Sequence, residues 1–136
     1  LHAIEKHNPD PHDVIDVLAK VGGLDIAGLT GVFLGGAIYR IPVVIDGLIS
    51  SVAALCAAGI TEKAGDYMLP SHVSNEPGGR TVLEALGLSP FLTCGMFLGE
   101  GSGAVALMPL LDMALKVYRE MGTFEDISVE RYEVLQ

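Results

Sequence analysis

From Leu24 to Ile60 the chain is apolar almost without relief, while on either side polar residues and turn formers cut it into short pieces. Residues 1–10 read as helical or frayed and end at the turn signal Asn8-Pro9-Asp10-Pro11. His12 or Asp13 starts a short helix through Lys20, which Gly22-Gly23 ends. Asp25 then serves as N-cap for a helix to about Tyr39. That segment is apolar all round, which predicts a buried helix. Gly28, Gly31 and Gly35 share one face of it and predict close helix packing. Arg40-Ile41-Pro42-Val43-Val44-Ile45 is too short for a helix and does not alternate, as suits a buried parallel strand. After Asp46-Gly47 a small-residue helix runs from about Leu48 to Ala58, ended by Gly59.

The second half is more broken. Thr61 caps a short helical turn, and Tyr67-Met68-Leu69 reads as a second strand ending at Pro70. A polar loop, Ser71 to Glu76, leads to Pro77 at a helix first turn, with Arg80 to Leu86 helical and Gly87 as the C-terminal stop. Ser89 to Leu98 fits neither period. Gly99 to Gly103 is a glycine loop, and a long helix follows from about Ala104 to Met121. Asp112, Lys116, Arg119 and Glu120 recur on it at helical spacing, predicting one exposed stripe and an otherwise buried surface. The tail from Thr123 to Gln136 is charged and reads as peripheral. Strand, helix, strand and helix in turn, with apolar helices, argue for α/β with a parallel sheet. Two strands make a poor sheet alone, and the chain opens on Leu1 without Met, so the expectation is a fragment lacking part of its domain.

Composition narrows the function. With 136 residues the chain can bury a core without staples, and a hydrophobic half argues against disorder. A net charge of −9 leaves no basic patch for nucleic acid. A single phosphate can still be held by backbone N–H groups and helix starts. Arg40, Pro42 and Asp46 interrupt the apolar run, so buried segments are expected rather than a membrane span. The absence of a signal peptide favours the cytoplasm. Cys56 and Cys94, set among small or apolar residues, read as reduced, buried thiols. Without CxxC no zinc site is indicated, and the reading calls for neither metal nor cofactor.

In open parallel sheets ligands bind beyond the carboxyl ends of the strands, and three loops fall at or near such ends. Asp46-Gly47 reads either as an ordinary tight turn or as a place where a ligand meets backbone. Ser71 to Glu76 offers hydroxyls and a helix start for a phosphate, or Ser74 and Asn75 as plain caps. His72 reads as a structural hydrogen-bonder, and Ser, His and Glu standing together do not make a triad, which is defined by geometry. Gly99-Glu100-Gly101-Ser102-Gly103 matches neither the dinucleotide fingerprint nor the Walker loop. Its acid is flanked by glycines, Leu98 and Ala104. Poorly hydrated surroundings would raise its pKa toward that of a useful general base, while the alternative is a loop acid favouring the start of the next helix.

Taken in order, Val21-Gly22-Gly23-Leu24-Asp25-Ile26-Ala27-Gly28-Leu29-Thr30-Gly31, Pro42 to Ser51, Ser71-His72 and Leu98-Gly99-Glu100-Gly101-Ser102-Gly103-Ala104 resemble the nicotinate-nucleotide–dimethylbenzimidazole phosphoribosyltransferase family, from about Val21 to Phe124. The resemblance implies the C-terminal part of a doubly wound, mostly parallel sheet with helices on both faces. It implies transfer of the 5-phosphoribosyl group from nicotinate mononucleotide to a benzimidazole-type base, giving nicotinate and an α-ribotide for the cobamide lower ligand. Glu100 is then the general base; Gly47 and Ser74 hold the phosphate; Leu98 lines the acceptor pocket; Asp25 and Asp46 lie near the ribose. Phe97 departs from the family, where Arg is more often expected, which puts in doubt a surface contact or the acceptor pocket rim but not the reaction class. Family members are longer, so the upstream part of the same protein is an implied partner, and a homodimer is expected. One reading competes with the transferase: a non-catalytic phosphate- or nucleotide-binding module or inactive fragment. Another, compatible with the transferase, is a dimerisation role for the Gly31 and Gly35 face.

Overall fold

The structure, a computed structural model, describes residues 2–130. It opens with two short helices, α1 (His2–His7) and α2 (Val14–Val21). The Asp13 side chain caps α2 by accepting from Ile15 N (2.9 Å) and Asp16 N (3.2 Å). Helix α3 (Leu24–Tyr39) stops where Arg40 turns left-handed (φ 57°). Strand β1 (Val43–Ile45), helix α4 (Leu48–Ile60), a 3-10 segment (Glu62–Tyr67) and strand β2 (Met68–Pro70) follow, then α5 (Gly79–Ala85) and α6 (Ser102–Glu120).

The two strands are parallel, with Val43 opposite Met68, Val44 opposite Leu69 and Ile45 opposite Pro70. Parallel pairing requires the crossover that α4 supplies. Strand pairing then continues irregularly. Beyond β2, Phe91 N donates to Pro70 O (3.2 Å), Leu92 N to Ser71 O (2.9 Å), Val73 N to Leu92 O (3.1 Å) and Asn75 N to Met96 O (2.9 Å). The segment that fits neither period is thus a ragged third neighbour of the sheet, joined by a single bridge, His72 to Leu92.

The core is small. Phe33, Ile45, Ala53, Ala54, Ala57, Ala64 and Met68 form one buried cluster, in which the alanine face of α4 lets α3 come close. Thr30 sits in that contact, its Oγ1 bonded to Ile26 O (2.8 Å) and to Ala53 O (3.3 Å), so its buried hydroxyl is satisfied. Cys56 lies beside it half-buried, and burial pushes its thiol up.

Four expectations fail, the first three for related reasons. Helix α3 buries only Thr30, Phe33 and Gly36, and Leu24, Ile38 and Tyr39 are exposed. A helix apolar all round can bury only the stripe that meets a neighbour, and here only one side has one. Gly28, Gly31 and Gly35 do not mediate packing, since a Cβ at any of them would meet nothing within 4 Å. Gly36 does, because a Cβ there would lie 2.5 Å from Val43 Cγ2. Likewise α6 buries only Gly103 and Leu107, while Val105, Met113, Val117 and Tyr118 are open. Finally, Cys94 is exposed rather than buried. No helix among the described residues is long and apolar enough to cross a membrane. The tail residues 131–136 lie outside the described residues.

Candidate active site

Because β1 and β2 are parallel, their carboxyl ends lie on one side. Asp46 directly follows β1 and Ser71 directly follows β2. Asp46 N donates to Ser50 Oγ (2.9 Å), and the Ser50 and Ser51 hydroxyls donate to Gly47 O (2.9 and 2.8 Å). These local bonds fix the turn into α4. Gly47 has an ordinary φ of −102°. Its neighbourhood is what is close, since a Cβ there would stand 4.0 Å from Gly99 Cα.

The glycine loop therefore lies against the end of β1. Gly99 (φ 76°), Glu100 (φ 54°) and Gly101 (φ 79°) are all left-handed. Glycine adopts that conformation freely, but Glu100 pays about 1–2 kcal/mol for it. The Asp46 carboxylate compensates: Oδ2 accepts from Gly101 N (3.0 Å), and Oδ1 from Gly103 N (2.8 Å) and Ala104 N (3.0 Å). These are the N–H groups that the start of a helix leaves unpaired, and Gly101, at the cap position of α6, has no side chain to take them.

Underneath lie Ser71 and His72, both buried. Ser71 Oγ donates to Asp46 O (3.3 Å) and is 3.0 Å from His72 Nδ1. With the hydroxyl proton on the carbonyl, Nδ1 carries a proton and donates to Ser71. A Cβ on residue 103 would collide with the His72 imidazole, so only glycine lets α6 settle here. His72 is thus a structural hydrogen-bonder and a floor for α6, as its sequence setting indicates.

Two cavities open above these loops. The larger, 430 Å³, is lined by Leu29, Asp46, Gly47, Leu98 and Glu100 among others. The second, 300 Å³, is lined by Ser74, Asn75, Arg80, Thr81 and Thr93 among others, and Glu76 lines both. Ser74 Oγ donates to Glu76 Oε2 (3.1 Å), and its own backbone leaves room only for glycine at 79. Of the six residues singled out in the sequence, Glu100, Gly47, Leu98 and Asp46 share the larger cavity, and Ser74 lines the smaller. Asp25 lines neither, although Leu29, one turn further along α3, lines the first. The dry setting expected of Glu100 is absent. Glu100 is exposed, and the apolar residues before it, Phe97 and Leu98, are themselves 69% and 75% exposed, so they shield nothing. Glu76, the link between the cavities, is not visible as a site residue in the sequence, because nothing local distinguishes a loop Glu from its neighbours.

The described residues hold no cluster of His, Cys, Asp and Glu suited to a metal ion. What they define is an α/β protein with its candidate site at the carboxyl ends of parallel strands. A family model described as phosphoribosyltransferase matches residues 1–129. The chain is 54% identical over 135 residues to the nicotinate-nucleotide–dimethylbenzimidazole phosphoribosyltransferase of Ruminiclostridium cellulolyticum, covering 99% of this chain and 38% of that one. It is 50% identical to the like-named protein of Yersinia enterocolitica, covering 94% and 36%. The crystal structure of CobT from Thermus thermophilus superposes with a TM-score of 0.85 at 37% identity, covering 96% of this chain and 38% of that one. The chain belongs to this phosphoribosyltransferase family. It spans little more than a third of the length of these relatives.

Proposed function

We propose that this chain is the C-terminal part of a cytoplasmic enzyme that transfers the 5-phosphoribosyl group of nicotinate mononucleotide to 5,6-dimethylbenzimidazole or a similar base. The bond between the ribose anomeric carbon and the nicotinate nitrogen breaks as one to the attacking ring nitrogen forms on the opposite face. The configuration inverts from β to α, and nicotinate leaves. The other ring nitrogen loses its proton to Glu100. The α-ribotide formed is the precursor of the cobamide lower ligand.

One observation carries this reading. Glu100 lines the same cavity as Gly47 and the apolar Leu98, so an acid, open backbone and an apolar wall stand together at the strand ends. Gly47, at the start of α4, and Ser74, in the neighbouring cavity with Arg80, are assigned to the phosphate. Leu98 is assigned to the acceptor base. Asp25, one turn before Leu29, is assigned to the ribose side. The remaining, upstream part of the protein covers the open apolar faces of α3 and α6 and closes the site over Glu100, and a second copy makes the enzyme a homodimer.

The first test is Glu100→Gln in the intact protein. Turnover falls on the order of 100-fold or more while the affinity for nicotinate mononucleotide changes less than about threefold. A variant that turns over like the parent supports a non-catalytic binding module instead. Base-dependent release of nicotinate, with benzimidazoles, purines and phenols as acceptors, defines the substrate class; no release with any base overturns the transferase reading. The isolated 136-residue chain is expected to fall well short of the intact rate.

A further inference from the structure

Asp46 is the carboxylate in the larger cavity most fully bonded within the described residues, with three of its roughly four acceptor sites taken. Among the described bonds the Glu76 carboxylate meets only Ser74, and Glu100 stands exposed. Both Asp46 oxygens are engaged, and all three donors are backbone N–H groups just after Glu100. Its own N–H and C=O are engaged too, by Ser50 and Ser71. The carboxylate thus joins two things: the end of β1, which the buried Ile45 anchors, and a run of three left-handed residues with Glu100 at its centre. Without that acceptor nothing else among the described bonds would hold Gly101 N and Gly103 N, and the non-glycine residue would be free to leave its costly conformation.

We propose that Asp46 serves the reaction as a positioning residue acting through Glu100, and not by touching the sugar. This rests on the reading of Glu100 as the base. A carboxylate with three N–H bonds keeps about one of its four acceptor sites for a ribose hydroxyl, and its charge is already shared among three donors. The two roles predict different chemistry. A charge-stabilising Asp needs its negative charge. A cap does not, since Asn caps helices about as well as Asp.

The experiment is a double-mutant cycle in the intact enzyme, with amide exchange alongside. Asp46→Ala lowers kcat on the order of tenfold or more and moves the KM for nicotinate mononucleotide less than about threefold. Added to Glu100→Gln, it lowers kcat no further, because both changes remove one function. Asp46→Asn, which keeps Oδ1 for Gly103 N and Ala104 N but cannot accept from Gly101 N, recovers most of the lost kcat. Should Asp46→Ala not fold, Asp46→Asn and the Asn-containing double variant carry the same comparison. Additive losses, a rise in KM with kcat unchanged, or an Asn variant as poor as Ala would each overturn the proposal. Exchange separates this from failure of the Glu100 reading. The Gly101, Gly103 and Ala104 amides exchange faster in Asp46→Ala whether or not Glu100 is the base. Unchanged exchange would show that Asp46 does not hold the loop. If exchange rises and Glu100→Gln is fully active, the loop is held but positions no base, and the proposal falls together with the reading beneath it.

Discussion

Helices α2 and α6 both begin under an aspartate, but in different ways. Asp13 stands immediately before α2 and accepts from the N–H groups two and three residues on. Asp46 reaches α6 from 55 residues upstream, accepting from Gly101, with Gly103 and Ala104 beyond it. The local cap starts a half-buried helix, and its carboxylate bonds only N–H groups of that same helix's first turn. The remote cap fastens α6 to the end of a core strand, over a buried Ser71–His72 floor. Substitutions at the first should therefore stay local, and substitutions at the second should reach the candidate site.

The largest effect is expected at Gly103. Gly103→Ala drives a methyl into the His72 ring, and should cost about 3 kcal/mol in urea unfolding of the intact protein, with loss of turnover. Next comes the cap itself, where Asp46→Ala should cost about 2 kcal/mol, toward the upper end of cap losses because three donors are stranded. Asp13→Ala should cost about 1 kcal/mol and leave kcat unchanged. If it lowered kcat as Asp46→Ala does, the contrast between the two helix starts would collapse. The smallest effect belongs to Asp16 in α2. The Lys20 ammonium, bonded to it at 2.8 Å, and then Asp10 N–H hold its carboxyl below the usual range. A depressed folded-state value gives stability that is present above the unfolded carboxyl pKa of about 3.9 and is lost as pH falls through the folded one. Because the pair is at the surface, the gain is slight. Carboxyl titration by NMR should show the Asp16 midpoint rise in Lys20→Met.

The contrast also explains what the sequence could disclose. Asp13 before an apolar-periodic run is a local signal, and α2 is legible to within a residue or two. The β-branched run ending at Asp46-Gly47 points to β1, though only its last three residues pair. Small residues point to α4. The resemblance of the ordered motifs, shown by the family match and by the fold of a solved relative, leads to the α/β class. What stays hidden are properties set by distant parts of the chain. α3 and α6 are apolar on nearly every face, so no pattern says which face finds a neighbour. The bonds of Asp46 to the glycine loop leave no trace in either segment alone. The hydration of Glu100 can be judged in sequence only from its neighbours, and those neighbours are exposed.

The reach of Asp46 also bears on the order in which the molecule is made. A ribosome releases β1, α4 and β2 well before Ser102 emerges, and domains begin to organise as they appear. The aspartate thus waits at the end of its strand until the first turn of α6 arrives. Contacts of such sequence separation form late and slow the folding of chains that depend on them. The glycine loop should accordingly be the last local structure to acquire its native form, and a nascent chain arrested before Ser102 should carry an organised sheet beneath an unformed site.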